Sequence, residues 1–209
     1  MKLFDDLLRA PDYDLAVQAL AADFRRQHAL PPLSQLGLVV HDVEQAAAKL
    51  ETHGVAPCMI LQGAATQWRE RGRDLRFSGT MALVGHRGIE LEPLAAGVGS
   101  DFYRQMLDPA GGMTLHHLGF HVPDVDAWAA RLVASTKGRA SLWVRGRLAV
   151  WPTRIDFAYV DALAECGFII EFISCRIFGL RWPGSRMPFA LESAIGRLQK
   201  AIGVRSFKV

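Results

Sequence analysis

The sequence predicts an α+β fold built from two paired βαβββ modules, because its 209 residues contain an internal repeat. Residues 35–44 read QLGLVVHDVE and residues 117–126 read HLGFHVPDVD. Leu, Gly, Val, Asp and Val recur in register between the two segments, at an offset of 82 residues. Each segment is a short apolar strand signal that ends in an aspartate and continues into a helical pattern.

The two copies also end alike, in GIELEP at residues 88–93 and in GFIIEFIS at residues 167–174. Pairing Glu90 with Glu171 gives an offset of 81 residues, close to the offset at the front of the repeat. Strand-rich segments fill each copy, with predicted spans of 58–62, 75–84, 140–150 and 155–161. Each copy therefore has the order β-α-β-β-β.

One amphipathic helix follows the first strand of each copy, and we predict these helices at Val43–Thr52 and Val125–Ser135. Asp42 and Asp124 precede them as N-caps, because a short carboxylate can accept hydrogen bonds from the free amides of the first turn. The apolar faces consist of Val43, Ala46, Ala47 and Leu50 in the first helix and of Val125, Trp128 and Leu132 in the second.

The repeat divides the chain into segments: an N-terminal helical extension (1–33), the first module (34–96), a linker (97–114), the second module (115–175) and a C-terminal extension (176–209). The two modules together form a single domain over residues 34–175. A C-terminal helix is expected at 188–203, after a Pro183-Gly184 break, with the apolar residues Phe189, Leu191, Ile195, Leu198 and Ile202. We expect both extensions to pack on the sheets, and a homodimer contact stays open.

The composition indicates a globular cytoplasmic protein without membrane or nucleic-acid partners. No segment reaches the length of about 20 apolar residues that a membrane span needs, and the start of the chain does not resemble a signal peptide. Three scattered cysteines favour a reducing compartment. The net charge of +3 is mild. A local basic cluster, Arg69, Arg71, Arg73 and Arg76, either faces solvent or binds an anionic group of a ligand.

Each module places one polar residue at the front of its first strand and one glutamate in its last strand. These residues are Gln35 and Glu90 in the first module and His117 and Glu171 in the second. Glu171 lies in the apolar run FIIEFI, where a carboxylate needs a cation, a metal or a wet cavity. Because the modules repeat, the four side chains are expected to converge on one divalent ion: Zn, Ni, Co, Mn or Fe.

Two neighbouring residues compete for these assignments. His116 precedes His117, and strand alternation is expected to put the two imidazoles on opposite faces, with His117 in register with Gln35. Glu92 shares a face with Glu90 and is the fallback ligand. Taken singly, a histidine or glutamate in a strand is more often a satisfied structural residue than a metal ligand.

The quoted segments, together with SDFYRQMLDPAGGMTLHHLGFHVPDVDAW and FAYVD, resemble the vicinal oxygen chelate superfamily, which includes glyoxalases, bleomycin resistance proteins and extradiol dioxygenases. The resemblance covers residues 34–174 and is nearest to the glyoxalase-like and methylmalonyl-CoA-epimerase-like branch. It implies that the paired modules form a curved-sheet cup around one metal site. It also implies metal ligands at Gln35, Glu90, His117 and Glu171, a set similar to that of eukaryotic-type glyoxalase I.

The sequence departs from its relatives at several functional positions. The segment LRFSGTMALV has no carboxylate where epimerases of this type place a second glutamate. Val39 and Leu94 stand where glyoxalase I has the Arg and Asn associated with glutathione binding, so glutathione is not supported. A single histidine in the ligand set argues against an extradiol dioxygenase without excluding it.

The leading hypothesis is a metal-dependent lyase or isomerase that transfers a proton on a small hydroxy, keto or CoA-type substrate, with two substrate oxygens chelating the ion. Glu171 is the first candidate for the base and Glu90 the second, and Arg76, Trp151 and Phe157 are candidate substrate-binding residues. The alternatives are an Fe(II) dioxygenase and a binding protein without turnover. The cup of such a binding protein would be lined by Trp68, Phe77, Trp143, Trp151 and Phe157.

Overall fold

The computed structural model describes residues 2–181 and 187–209, and one mixed sheet organises them. The strands are β1 (Gln35–Val40), β2 (Met59–Ala64), β3 (Gln67–Glu70), β4 (Arg73–Leu75), β5 (Ser78–His86), β6 (Ile89–Ala95), β7 (Thr114–His121), β8 (Ser141–Val150), β9 (Thr153–Ala162), β10 (Phe168–Ile177), β11 (Leu180–Arg181) and β12 (Phe207–Lys208). They follow the order β12-β2-β5-β6-β1-β7-β10-β9-β8-β3-β4, with β11 paired to β10. The sheet curls strongly into an open cup.

Seven α-helices and one 3-10 helix (Arg104–Met106) accompany the strands in the described part of the chain. The α-helices are α1 (Phe4–Leu8), α2 (Tyr13–Gln18), α3 (Ala22–Gln27), α4 (Val43–Thr52), α5 (Val125–Ser135), α6 (Leu163–Cys166) and α7 (Met187–Ala201). Within residues 2–181 and 187–209, no helix is both long enough and apolar enough to span a membrane.

The sheet has an approximate twofold symmetry that matches the sequence repeat. β1 and β7 pair antiparallel at its centre, and each has a parallel neighbour, β6 for β1 and β10 for β7. The first module runs β1-α4-β2-β5-β6 and the second β7-α5-β8-β9-β10. The predicted α+β fold of two βαβββ modules in a cup is therefore confirmed.

The two repeat helices have the predicted bounds and caps. The side chain of Asp42 accepts a hydrogen bond from the amide of Gln45, and that of Asp124 accepts from the amides of Asp126 and Ala127. The predicted apolar face of α4 is buried throughout, and in α5 only Trp128 is partly exposed. The predicted amphipathic patterns are therefore confirmed, because both helices bury these faces in the main core.

A hairpin that the sequence analysis did not predict connects the two modules. Between β2 and β5 the chain forms β3 and β4, and β3 pairs with β8 of the second module. Trp68 on β3 is buried, and its ring stacks on Phe77 with centroids 4.2 Å apart. The first module thus closes the outer edge of the second.

The N-terminal extension packs as predicted, in the form of three short helices. Phe4, Val17, Leu20 and Phe24 join the same hydrophobic core as the repeat helices. Asp5 forms an ion pair with Lys49 of α4 and accepts a hydrogen bond from the amide of Met113, 2.9 Å away. α1 therefore holds the first module to the segment that leads into the second.

The C-terminal helix α7 packs on β2 and β5, but through a different face from the one predicted. Leu191, Leu198 and Ile202 are 60%, 53% and 54% exposed, whereas Gln199 is buried and bonds both the amide and the carbonyl of Ile60 at 2.9 and 2.8 Å. The helix therefore satisfies polar groups of the sheet instead of burying its apolar residues. The predicted Pro183-Gly184 break and the Phe189 side chain lie outside the described residues.

Candidate metal site

Two glycines create the space for the site where β1 and β7 cross the centre of the sheet. A Cβ atom on Gly37 would lie 1.8 Å from Cε1 of His117, so the imidazole occupies the volume of a missing side chain. In the same way, a Cβ atom on Gly119 would lie 2.6 Å from Oε1 of Gln35. His117 and Gln35 are therefore twofold counterparts, each placed over the glycine of the opposite strand.

Strand register decides which glutamate of the first module is the counterpart of Glu171. Glu171 lies opposite Gly119 in the parallel pair of β10 and β7, and Glu92 lies opposite Gly37 in the parallel pair of β6 and β1. Glu92, His117 and Glu171 come together as a buried cluster whose potential ligand atoms all lie within 4.8 Å of one another. Nε2 of His117 is 3.2 Å from Oε2 of Glu92 and 3.0 Å from Oε2 of Glu171.

Glu90, the predicted ligand of the first module, lies one step further along the same face of β6. It is paired with Gln35 in the sheet, and its Oε1 accepts a hydrogen bond from Nε2 of Gln35 over 2.6 Å. The structure thus puts the fallback residue Glu92 where the sequence analysis expected Glu90. The reason is that register in parallel strands, not repeat offset, selects the residue that faces the cluster.

The chemistry of the cluster fits a divalent cation. Oε2 of Glu92, Nε2 of His117 and Oε2 of Glu171 are buried close together but form no hydrogen bond of good geometry, and Oε1 of Gln35 is likewise buried without a hydrogen-bond partner among the described residues. Buried polar atoms without good hydrogen bonds are rare and costly, and one ion between Glu92, His117 and Glu171 would satisfy the three that lie together. Two carboxylates would neutralise its charge, and a mixed oxygen and nitrogen set suits Zn, Ni, Co, Mn or Fe.

The pKa shifts of Glu92 and His117 also indicate a site that fits a cation. Burial raises the pKa of Glu92, and the nearby Glu171 raises it further, although His117 acts against both. Burial lowers the pKa of His117, but the two carboxylates outweigh burial and leave that pKa raised. Without a cation, protons must therefore balance the negative charge of the cluster.

The two adjacent histidines do not lie on opposite faces, so that expectation is wrong. Gly37 pairs with His117 and the next residue, Leu38, pairs with Leu115, so His116 is the extra residue of a β-bulge. The bulge interrupts the alternation of side chains, and both imidazoles point to the same side of β7. Their Nδ1 atoms are 3.0 Å apart.

A cavity of about 540 Å³ opens beside the cluster. Its lining includes Glu92 and Glu171 together with the aromatic residues Trp68, Phe77, Tyr103, Phe157 and Tyr159. Of the predicted substrate-binding residues, only Phe157 contributes to this wall.

The structure gives Arg76 and Trp151 no part in the cavity wall. Arg76 is exposed beyond the end of β4. Trp151 is 86% exposed in the tight turn between β8 and β9, where it contacts Phe178. Trp143 is buried beneath Arg71 and also does not line the cavity.

Glu192 is a cavity residue that the sequence analysis missed. It projects from α7 beside Glu90, is 5% exposed, and its Oε2 has no hydrogen-bond partner among the described residues. Burial raises the pKa of Glu192, and the carboxyl of Glu90 raises it further. No local signal marks this residue, because it lies between apolar positions of a helix outside the repeat.

Several solved structures resemble parts of the chain at low sequence identity. Methylmalonyl-CoA epimerase from Mycobacterium tuberculosis is 18% identical, with a TM-score of 0.40 over 71% of this chain and 93% of the epimerase. A variant of the Streptomyces coelicolor epimerase in complex with 2-nitronate-propionyl-CoA is 16% identical, with a TM-score of 0.40 over 74% of this chain and 99% of that one. A variant of 4-hydroxymandelate synthase from Streptomyces coelicolor is 14% identical, with a TM-score of 0.43 over 81% of this chain and 55% of that one.

No curated protein matches the chain in sequence. The family assignment therefore depends on a model of a protein family rather than on a single relative. Residues 34–140, just over half of the 209, match the model of the glyoxalase/bleomycin resistance protein/dioxygenase superfamily, and the chain belongs to this superfamily.

Proposed function

We propose that the protein is a metal-dependent lyase or isomerase that moves a proton next to a carbonyl group of a small oxygenated substrate. The observation that carries this proposal is the convergence of three buried ligand residues from the two modules, Glu92, His117 and Glu171. Gln35, Glu92, His117 and Glu171 would hold the ion. When bound, a divalent ion would act as a Lewis acid and stabilise negative charge that develops on substrate oxygens.

The cavity wall contains several groups that can act as acid or base. Glu171 remains the first candidate for the base, because its carboxyl lies in the cluster and lines the cavity. Glu90 and Glu192 lie together in the cavity wall outside the cluster. The pKa of Glu192 is raised by burial and by the neighbouring Glu90, so Glu192 can donate a proton to a substrate and take it back.

The cavity wall supports a small substrate with an apolar part. Its volume lies within the usual range of small-molecule sites, and the carboxyl groups lie against an aromatic wall. An ion held by the cluster would attract the oxygenated end of the substrate, and the apolar end would then lie against Trp68 and Phe157.

We propose that the protein is located in the cytoplasm. Cys58, Cys166 and Cys175 are free thiols, which suits a reducing compartment. The partner is a small molecule. We also propose a homodimer through the exposed Leu191 and Leu198 of α7, which gel filtration with light scattering would test.

Metal analysis of protein purified without chelator tests the proposal, followed by proton NMR of hydroxy and keto compounds in D₂O. We expect about one Zn, Ni, Co or Mn per chain and metal-dependent exchange of the proton next to a carbonyl. Protein without stoichiometric metal, in which Glu171→Gln leaves ligand binding unchanged, would support a binding protein instead. Bound Fe(II) with turnover of a catechol would favour the dioxygenase.

A further inference from the structure

The bulge residue His116 makes a contact for which the proposed function has no role so far. Its Nδ1 is 3.0 Å from Nδ1 of His117, and both rings are fully buried. Phe102 and Tyr103 pack around the His116 ring, with centroids 5.0 and 5.1 Å away. A polar side chain is thus held in an aromatic pocket, with the imidazole of the proposed ligand as its hydrogen-bond partner.

The direction of this hydrogen bond follows from the other end of the His117 ring. Nε2 of His117 faces the carboxylates of Glu92 and Glu171, so it is the nitrogen available to an ion. A histidine that uses the Nε2 lone pair carries its proton on Nδ1. His117 is then the donor, and Nδ1 of His116 must be the acceptor.

An Nδ1 of His116 that accepts this hydrogen bond carries no proton of its own, and the rings of Phe102 and Tyr103 hold the imidazole in this position. A ligand histidine usually donates its second N–H to a carboxylate or a carbonyl oxygen. In this cluster a further carboxylate would add negative charge to that of Glu92 and Glu171, whereas a neutral imidazole adds none.

We infer that His116 is a positioning residue for the metal site: its Nδ1 accepts the Nδ1 proton of His117 and directs Nε2 of that ring at Glu92 and Glu171. The bulge in β7 is the structural device that makes this possible, because regular alternation would place the two rings on opposite faces. This inference rests on the proposed metal site.

The test compares Co²⁺ affinity and the visible spectrum of the Co²⁺-saturated protein across three substitutions. His116→Asn keeps an acceptor near the position of Nδ1, His116→Gln moves it to the position of Nε2, and His116→Phe removes it while filling the aromatic pocket. We expect the Phe and Gln variants to bind Co²⁺ about 10- to 100-fold more weakly, and the Asn variant to recover most of the affinity. The visible bands of the saturated Phe variant should shift, because the His117 ring is no longer held.

Phe102→Leu is the matched control, since it disturbs the same pocket without touching the hydrogen bond. It should lower the melting temperature while leaving the Co²⁺ affinity within about threefold of the wild type. Wild-type affinity and spectrum in the Phe variant, or equal losses in the Asn and Gln variants, would overturn the inference. If the Phe variant does not fold, the comparison of Asn with Gln decides. A wild-type protein that binds no Co²⁺ would overturn the proposed function itself, and the inference with it.

Discussion

The two modules share one strand plan but differ in how their second and third strands are connected. In the second module, β8 and β9 are joined by the short turn at residues 151–152. In the first module, residues 65–77 separate β2 from β5 and form the hairpin β3–β4. That hairpin pairs with β8, whereas the edge of β2 is met by β12 and α7. The outer strand of the second module is therefore covered by the hairpin of the first module, and the outer strand of the first module is covered by the C-terminal extension.

This difference divides the candidate site into a packed half and an open half. His117 and its neighbour His116 lie among Phe102, Tyr103 and Tyr159, whose packing leaves them fully buried. The first-module residues Gln35, Glu90 and Glu92 instead line the cavity, next to Glu192 of α7. The second module therefore encloses His117 in aromatic rings, whereas its Glu171 lines the cavity together with the polar groups of the first module.

The strongest test of the comparison exchanges the two central glycines for alanine. Gly37→Ala would push its Cβ into the His117 ring, whereas Gly119→Ala would press on the Gln35 side chain. We expect Gly37→Ala to weaken Co²⁺ binding by more than about 100-fold, and Gly119→Ala to weaken it by about tenfold, because an amide is a poorer ligand than an imidazole. Titration of Co²⁺ against a competing chelator measures both, and equal losses would contradict the division into two unequal halves.

The next test separates the two glutamates of β6. Glu92→Gln should reduce metal affinity by about 100-fold, because its carboxylate belongs to the cluster. Glu90→Gln should stay within about threefold of the wild type, since Glu90 is engaged with Gln35. Isothermal titration with Zn²⁺ gives both values. The reverse ranking would restore Glu90 as the ligand.

Glu192 provides a test of the cavity wall beside the polar residues of the first module. Burial and Glu90 raise the pKa of Glu192, with Glu92 contributing in the same direction. The folded state therefore holds a proton that the unfolded chain releases above the ordinary value of 4.5, and stability falls as pH rises beyond it. The slope contributed by one such proton is at most about 1.4 kcal/mol per pH unit.

Glu192→Gln should flatten this decline in metal-free protein, as measured by urea denaturation between pH 5 and 9 in the presence of chelator (a window of about four pH units). The exposed Glu44→Gln serves as the control and should leave the decline unchanged. An identical pH dependence in the Glu192 variant and the wild type would show that the carboxyl is ionised in the cavity.

The smallest expected effect concerns Asp5, which links Lys49 of the first module to the amide of Met113 before the second module. Burial raises the pKa of Asp5, but Lys49 and the amide of Met113 outweigh it and leave that pKa lowered. Asp5 thus stabilises the fold above its ordinary value of 3.8, and this contribution is lost as pH falls through the lowered pKa. We expect Asp5→Asn to cost about 1–2 kcal/mol at neutral pH in a thermal melt. Asp6→Asn, at the neighbouring exposed residue, should cost nothing measurable.

Local patterns were sufficient to determine the modules and much of the site. The repeat of QLGLVVHDVE and HLGFHVPDVD determined the twofold plan, and the apolar periodicity with Asp42 and Asp124 determined the bounds of α4 and α5. These features depend on hydrogen bonds and burial within about a dozen residues, so the sequence alone reveals them. His117 and Glu171 were predicted as site residues for the same reason, since each is polar in an apolar strand, and both lie in the buried cluster.

Only the tertiary structure decided the features that depend on distant strands and helices. The register of β6 against β1 brought Glu92 rather than Glu90 to the cluster, and the bulge in β7 turned His116 to the same side as His117. The position of Glu192 in the cavity wall could not be predicted either, because it depends on how α7, a helix outside the repeat, packs on β2 and β5. In each case the outcome depends on pairing between segments far apart in the chain, which no local pattern of residues encodes.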